Sequence, residues 1–322
     1  MYQSASLERY PSSLSSDGNP GKGRKKAMLQ IDASGERCLC DFTFDFFWQH
    51  KGSRLGMDQT VSGISYRKMV QALRLGETVK ISGDAGSRLG SSLGEDLLRL
   101  GGKGGPVEGT GKIVVDGNVG SHMGISMQRG AIYVSGEIES PMGNVVQVQS
   151  DLTGYRKFVS ATETIEKDLA VLDPNSADNS GLIICDGILR DTLGARNPTN
   201  KTIILKGDAG MSTGILMRSG LIEVMGDAGR NTGVLMQGGR IVVQGRCGDF
   251  TAAEMRGGEI IVGRDAGSYT CARMRGGAVF ARNAKCVPPA RESPLGNEAL
   301  KKISATLGVN SFYAMMYKKY EL

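Results

Sequence analysis

A chain of 322 residues can bury a substantial core, and its 47 glycines lack the every-third-residue pattern of collagen. The formal net charge of +6 is scattered among 33 acidic residues rather than run together, so nucleic acid and membrane surfaces are not expected partners. Two histidines are too few for a histidine-based metal centre, and six cysteines without a signal-peptide pattern or a long apolar stretch read as free thiols of a cytoplasmic protein.

In chain order, residues 1–26 are rich in Ser, Gly and Pro and read as a flexible arm with a basic GKGRKK end. Residues 27–77 read as an aromatic-rich N-terminal cap. AMLQID and CLCDFTFDFFW have strand character, Phe42, Phe44, Phe46, Phe47 and Trp48 form an aromatic cluster suited to covering an open first rung, and GISYRKMVQALRL fits a short helix with Ile64, Met69, Val70 and Leu73 near one stripe. Cys38 and Cys40 form CxC, whose side chains on a strand point to opposite faces, a weaker arrangement than a paired CxxC site.

From Thr78 to Lys285 the chain repeats itself. Gly210, Gly229, Gly248 and Gly267 are 19 residues apart, as are Met217, Met236, Met255 and Met274, and Gly86 and Gly120 take the same place in earlier units. Ile203, Ile222, Ile241, Ile260 and Val279 recur at one strand position, with Leu205, Val224, Val243, Val262 and Ala281 two residues on. Side chains two apart share a strand face, so stacked units build an apolar ladder at roughly 4.8 Å per rung. Nineteen residues do not comfortably hold a strand, a helix and two loops. The expected fold is therefore all-β, a right-handed parallel β-helix of about eight coils with short capping elements and C-terminal helices. The six turn glycines are expected to serve corners that need positive φ or close backbone approach.

Two excursions interrupt the coils, near 95–110 and 150–180, the second with a helix expected around Ala161 to Leu172. Insertions of this kind leave a solenoid on one side and often form its binding face. The rung that follows, LIICDGILRDTLGARN, is degenerate, with Gly187 and Gly194 each shifted one place. After Cys286 three prolines break the pattern, and the tail at 286–322 holds two helical segments, EALKKISATL and SFYAMMYKKY, suited to covering the last rung.

Chemistry-bearing motifs are few. GDAG and GNVG lack the helix start or Lys-Ser/Thr pair of a phosphate loop, so they read as corners. His122 has no carboxylate or cysteine neighbour in the sequence, and no nucleophile elbow or HExxH occurs, so no catalytic or metal-binding residue is assigned. The methionine stripe reads as core, and Arg218, Gln237, Arg256 and Arg275 as a solvated row or one that meets an acidic partner. Between the two core positions, Ile204, Glu223, Val242, Ile261 and Phe280 point outward, with Val114 and Tyr133 in earlier coils. A mostly apolar outward row needs a cover, and Val242, Ile261 and Phe280 form the candidate partner face, unless the tail beyond Pro289 folds back over it.

The run GDAGMSTGILMRSGLIEVMGDAGRNTGVLMQGGRIVVQG, with GNVGSHMGISMQRGAIYVSG before it, resembles the GXGXG β-helix family. That family includes the β-helix subunit of formylmethanofuran dehydrogenase and the C-terminal domain of the glutamate synthase large subunit. The resemblance implies a noncatalytic scaffold subunit of a multisubunit oxidoreductase, formylmethanofuran dehydrogenase-like first and a detached glutamate synthase domain second. It implies catalytic subunits as partners, which carry metal, iron-sulfur or flavin cofactors, and none bound by this chain. A homo-oligomeric structural or binding protein without an enzyme partner is the third reading.

Overall fold

The computed structural model describes residues 28–33, 60–96 and 103–322. The arm at 1–26, the aromatic cluster from Phe42 to Trp48, His50 and the Cys38/Cys40 pair lie outside the described residues.

Strand β1 (Met28–Asp32) stands at the head, followed by a hairpin of β2 (Thr60–Val61) and β3 (Ile64–Ser65) and by helix α1 (Tyr66–Arg74). The Ser65 hydroxyl accepts from Lys68 N–H and so caps α1, and Met69, Val70 and Leu73 bury against the first rung. Ile64, placed on the helix stripe by spacing, belongs to the hairpin instead.

The first stack contains β4 (Thr78–Ser82), β5 (Lys112–Asp116) and β6 (Ala131–Val134), parallel and in register, with β1 added in parallel in front. Val79 and Ile81 sit under Ile113 and Val115, which sit under Ile132 and Val134. All six are fully buried. The second stack contains β10 (Gly181–Ile184), β11 (Thr202–Leu205), β12 (Leu221–Val224), β13 (Arg240–Val243), β14 (Glu259–Val262) and β16 (Ala278–Ala281), again parallel. Three rungs and six make nine, against the expected eight or so, and the degenerate segment at Gly181 forms one of them, as expected. A short parallel pair, β15 (Asp265–Thr270) with β17 (Asn283–Cys286), closes the last corner.

The excursion at 150–180 divides the strand sheet. Strand β8 (Arg156–Ser160) inserts antiparallel between β6 and β7 (Val145–Val148), then helix α2 (Ala161–Lys167) runs back, and β9 (Ser176–Asp178) covers the edge of β10. The expected helix ends early: Asp168 takes the left-handed conformation at φ 52°, and Leu169 and Val171 pack onto the second core as irregular chain. The β7–β8 hairpin has one face on each core, with Val145 and Phe158 toward the first and Val146 and Val159 toward the second.

Two buried polar side chains splice the stacks. Arg190 forms a bidentate pair with Asp186 at 2.6 and 2.7 Å and donates to the carbonyls of Val145 and Ile188. Asn144 donates to Met127 O, Ser160 Oγ and Thr162 Oγ1 while its own oxygen accepts from Gly194 N–H. The one-place shift of Gly187 and Gly194 is the trace of this splice in the sequence.

The corners also repeat. None of the six turn glycines lies in the left-handed region; Gly120, Gly210, Gly229, Gly248 and Gly267 serve close approach, and a Cβ on Gly229 would stand 2.8 Å from the Gly210 backbone. Positive φ falls four residues later, as at Gly233 (φ 67°), whose missing Cβ leaves room for Ile260.

Candidate functional site

The tail lies over the outward row of the second stack. Helix α3 (Asn297–Leu307) and the short α4 (Ser311–Ala314) form an apolar cluster in which Val242, Ile261 and Phe280 meet Ile303, Ala314 and Tyr317. Ile261 is 0% exposed, so the cover of this candidate partner face is the chain's own C-terminus. The last residues, read as helix, instead form strand β19 (Lys318–Glu321), which pairs antiparallel with β16 and is flanked by β18 (Arg291–Ser293). The exposed backbone edge of the final rung decides this, since a strand satisfies it and a helix does not.

The corner residues are occupied in holding rungs together. Asp208 Oδ1 accepts from Asp227 N–H, Asp227 Oδ1 from Arg246 N–H and Asp249 Oδ1 from Ser268 N–H, and Asp84 and Asn118 do the same in the first stack. The Asp of GDAG is thus an inter-rung acceptor. His122 has a partner that the sequence did not show, for its Nδ1 lies 2.6 Å from Asp191 Oδ2, 69 residues away, while Asp191 Oδ1 accepts from Met211 N–H. The stripe Met217, Met236, Met255 and Met274 is core, and Arg218, Gln237, Arg256 and Arg275 are exposed. Cys247 is buried and its thiol is pushed up to about 12 by burial, which keeps it in the unreactive thiol form. Among the described residues no three His, Cys, Asp or Glu side chains cluster as a metal site needs, and no helix is long and apolar enough to cross a membrane.

Both excursions meet the first stack at a seam. Its centre is Arg129, whose side chain is 2% exposed and which leaves the corner before β6 to donate to Glu108 Oε1 at 2.8 Å, Glu166 Oε2 at 2.7 Å and Gln128 O at 3.0 Å. Glu108 belongs to the first excursion and Glu166 to α2, so one guanidinium ties both to the solenoid. Lys167 adds bonds to Glu108 and Glu163. Burial pulls the Arg129 pKa down, but the bonds to Glu108 and Glu166 outweigh it and raise it above the usual arginine value. The same bond from Arg129, helped by Lys167, lowers the Glu108 carboxyl below its ordinary range. Under the far side of the seam Glu95 and Arg196 pair at 3.3 Å beside a cavity of about 160 Å³, with Glu95 Oε2 and Arg196 Nη1 buried and without a hydrogen-bond partner.

On the near side the outward faces of β5, β6 and β8, the loop at 109–111 and α2 enclose a cleft of about 460 Å³. Tyr133 lines it from below and is itself almost wholly buried. The phenol donates to Asp151 Oδ1 at 2.6 Å, and Lys157 Nζ donates to the same oxygen at 2.8 Å. Burial first, then the bond to Asp151, raises the Tyr133 pKa, while the bonds from Lys157 and Tyr133 hold Asp151 far below the usual aspartate range. The cleft can therefore hold charge of either sign in fixed positions.

A protein of Methanothermobacter thermautotrophicus (strain Delta H), uncharacterized in function, is 45% identical over 205 residues, which are 62% of this chain and 67% of that protein. The chain belongs to the same family as that archaeal protein. No protein-family model and no solved structure matches the chain. The aligned length in the archaeal relative exceeds the 85 residues of the regular block from Lys201 to Lys285, so the relationship extends beyond that block.

Sequence reasoning placed the excursions on a binding face but named none of the seam residues. Glu108 and Glu166 lie outside the repeat and Arg129 takes a coil place that holds Ser219, Gly238, Gly257 and Gly276 in later units, and its partners lie 21 and 37 residues away. The available signal was position: Arg129 and Gln128 stand just before a rung in the coil that lies between the two excursions.

Proposed function

We propose that this chain is a noncatalytic scaffold subunit of a multisubunit enzyme, of the kind represented by the β-helix subunit of formylmethanofuran dehydrogenase. One observation carries the reading. The corner acceptors of the repeat are spent on stacking, from its Asp and Asn side chains to Arg190 and Asn144 at the splice, leaving a repetitive body whose irregular surface includes two clamped excursions. A body of that construction fixes the separation of whatever binds it, which is the task of a scaffold.

The test is purification from the native host and identification of co-eluting chains. An amidohydrolase with a molybdenum- or tungsten-dependent dehydrogenase is the expected result. A glutaminase with a flavin-dependent synthase chain would move the assignment to glutamate synthase. A homo-oligomer with neither set would overturn both.

A further inference from the structure

The ion pairs of the seam and cleft account for every cation there except one. Arg129, Lys157 and Lys167 each have a carboxylate partner, whereas Lys112 has none among the described residues. The Lys112 ammonium lies 5.1 Å from the centre of the Tyr133 ring, and Lys157 Nζ lies 5.4 Å from the same centre. Cation–π attraction places both there, so two like charges share one ring while only Lys157 is paired with a carboxylate, Asp151. This end of the cleft therefore carries one uncompensated positive charge. At the opposite end Glu163, Arg129 and Lys167 line the cleft, and Glu108 and Glu166 behind that wall bring the carboxylates to three against two cations. An anion is accordingly favoured at the Lys112 end alone.

We propose that the cleft binds a small oxyanion, the carboxylate or phosphate group of a small molecule, between Lys112 and Lys157 beside the Tyr133 ring. Its volume of about 460 Å³ lies within the roughly 300–1,000 Å³ of small-molecule sites. Its walls are preorganised, since Tyr133 is fixed by Asp151 and α2 is clamped through Glu166 to Arg129. The oxyanion gives Lys112 a charge-assisted partner that it has from no carboxylate among the described residues, and gives Lys157 a second acceptor beside Asp151. All these groups belong to one chain, so the site stands or falls independently of any scaffold partner.

The experiment is titration of the purified full chain with inorganic phosphate and, separately, with acetate, at constant ionic strength in chloride, followed by backbone amide shifts. Saturable shifts confined to β5, β6 and β8 are expected with at least one of the two. Saturation by phosphate alone assigns a phosphate-bearing ligand, and by acetate alone a carboxylate-bearing one. Lys112→Gln, which keeps the stem but not the charge, should weaken binding by about tenfold with an unchanged melting temperature. Lys103→Gln, on the first excursion away from the ring, should bind as wild type. Absence of saturation with both anions, or equal affinity in Lys112→Gln and wild type, would overturn the site. A fall in melting temperature without loss of affinity in Lys112→Gln would assign the lysine to structure and overturn it as well.

Discussion

In the second stack the outward strand row runs Ile204, Glu223, Val242, Ile261 and Phe280, and apolar helices of the tail lie across its later rungs. In the first stack the same row holds Val114 and Tyr133, with Lys112 and Lys157 beside them, and its cover is a charged helix and loop held by Arg129. The interior ladders of the two stacks are alike, so the difference is confined to how each outer face is finished. Apolar cover is cumulative: each buried side chain adds roughly 25 cal/mol per Å² and none needs a specific partner. Charged cover is conditional, because each buried ion is stabilising only while its partners are in place. The tail therefore behaves as core, and the seam as a clamp that leaves room for a ligand.

The comparison breaks first at Ile261. Ile261→Glu places a carboxylate at a fully buried site among Ile303, Ala314 and Tyr317, which should cost about 4 kcal/mol. Circular-dichroism melting should fall accordingly, and limited proteolysis should release the segment after Pro289. Wild-type melting with a protected tail would mean that α3 does not cover this row.

The matching change in the first stack is Arg129→Met, which keeps volume and removes the charge. Glu108 and Glu166 would then share Lys167 with Glu163, at a cost of about 2 kcal/mol, below the range for a wholly buried pair because Glu108 is 62% exposed. Hydrogen exchange should quicken at 103–110 and 161–167 and stay unchanged in β11 to β14. Quickening spread evenly over both stacks would show that the seam is not a separate clamp.

The interior and the outer faces were unequally legible in the sequence. The ladder of Ile203, Ile222, Ile241 and Ile260 and the close-approach glycines could be read because one contact is repeated every 19 residues, so each rung confirms the next. The splice and the seam are single events. Asn144, Arg190 and Arg129 are fixed by partners met once, and His122 found Asp191 only through stacking across the division of the sheet. The segment SFYAMMYKKY read as helix through Tyr320 on its apolar Phe312, Met315, Met316 and Tyr317, while the edge of β16 that makes Lys318–Glu321 a strand is a tertiary fact. The C-terminal cover was one of two alternatives for the outward row that the apolar pattern could not separate.

Corners, common to both stacks, give the control. Gly229→Val sets its Cβ 2.8 Å from the Gly210 backbone and should cost about 2 kcal/mol through overpacking, whereas exposed Arg230→Ala should stay within about 0.5 kcal/mol of wild type. Equal melting temperatures for the two variants would remove the close-approach assignment from the repeat.

Acid should separate the two covers most gently. Glu108 is held below its ordinary 4.5 first by Arg129 and then by Lys167, and Asp151 far below 3.8 first by Lys157 and then by the Tyr133 phenol. A carboxyl whose pKa is lower in the folded state binds fewer protons there than in the unfolded chain. The stability it contributes is therefore present in full above the unfolded value and is lost as pH falls through the folded one. Both carboxylates are 62% exposed, so water and salt screen them and the effect is small. Beneath the tail Glu259 of β14 is in a comparable position, where burial opposes the shift but Lys302 of α3 and Arg240 lower the pKa, while Val242, Ile261 and Phe280 carry no proton. Between about pH 5 and pH 2 exchange should therefore rise at the first excursion and at β8 before it rises in α3, and 1 M salt at neutral pH should loosen the same segments in the same order. An α3 that opens first would mean that Glu259 and Lys302, rather than the apolar row beneath them, hold the tail in place.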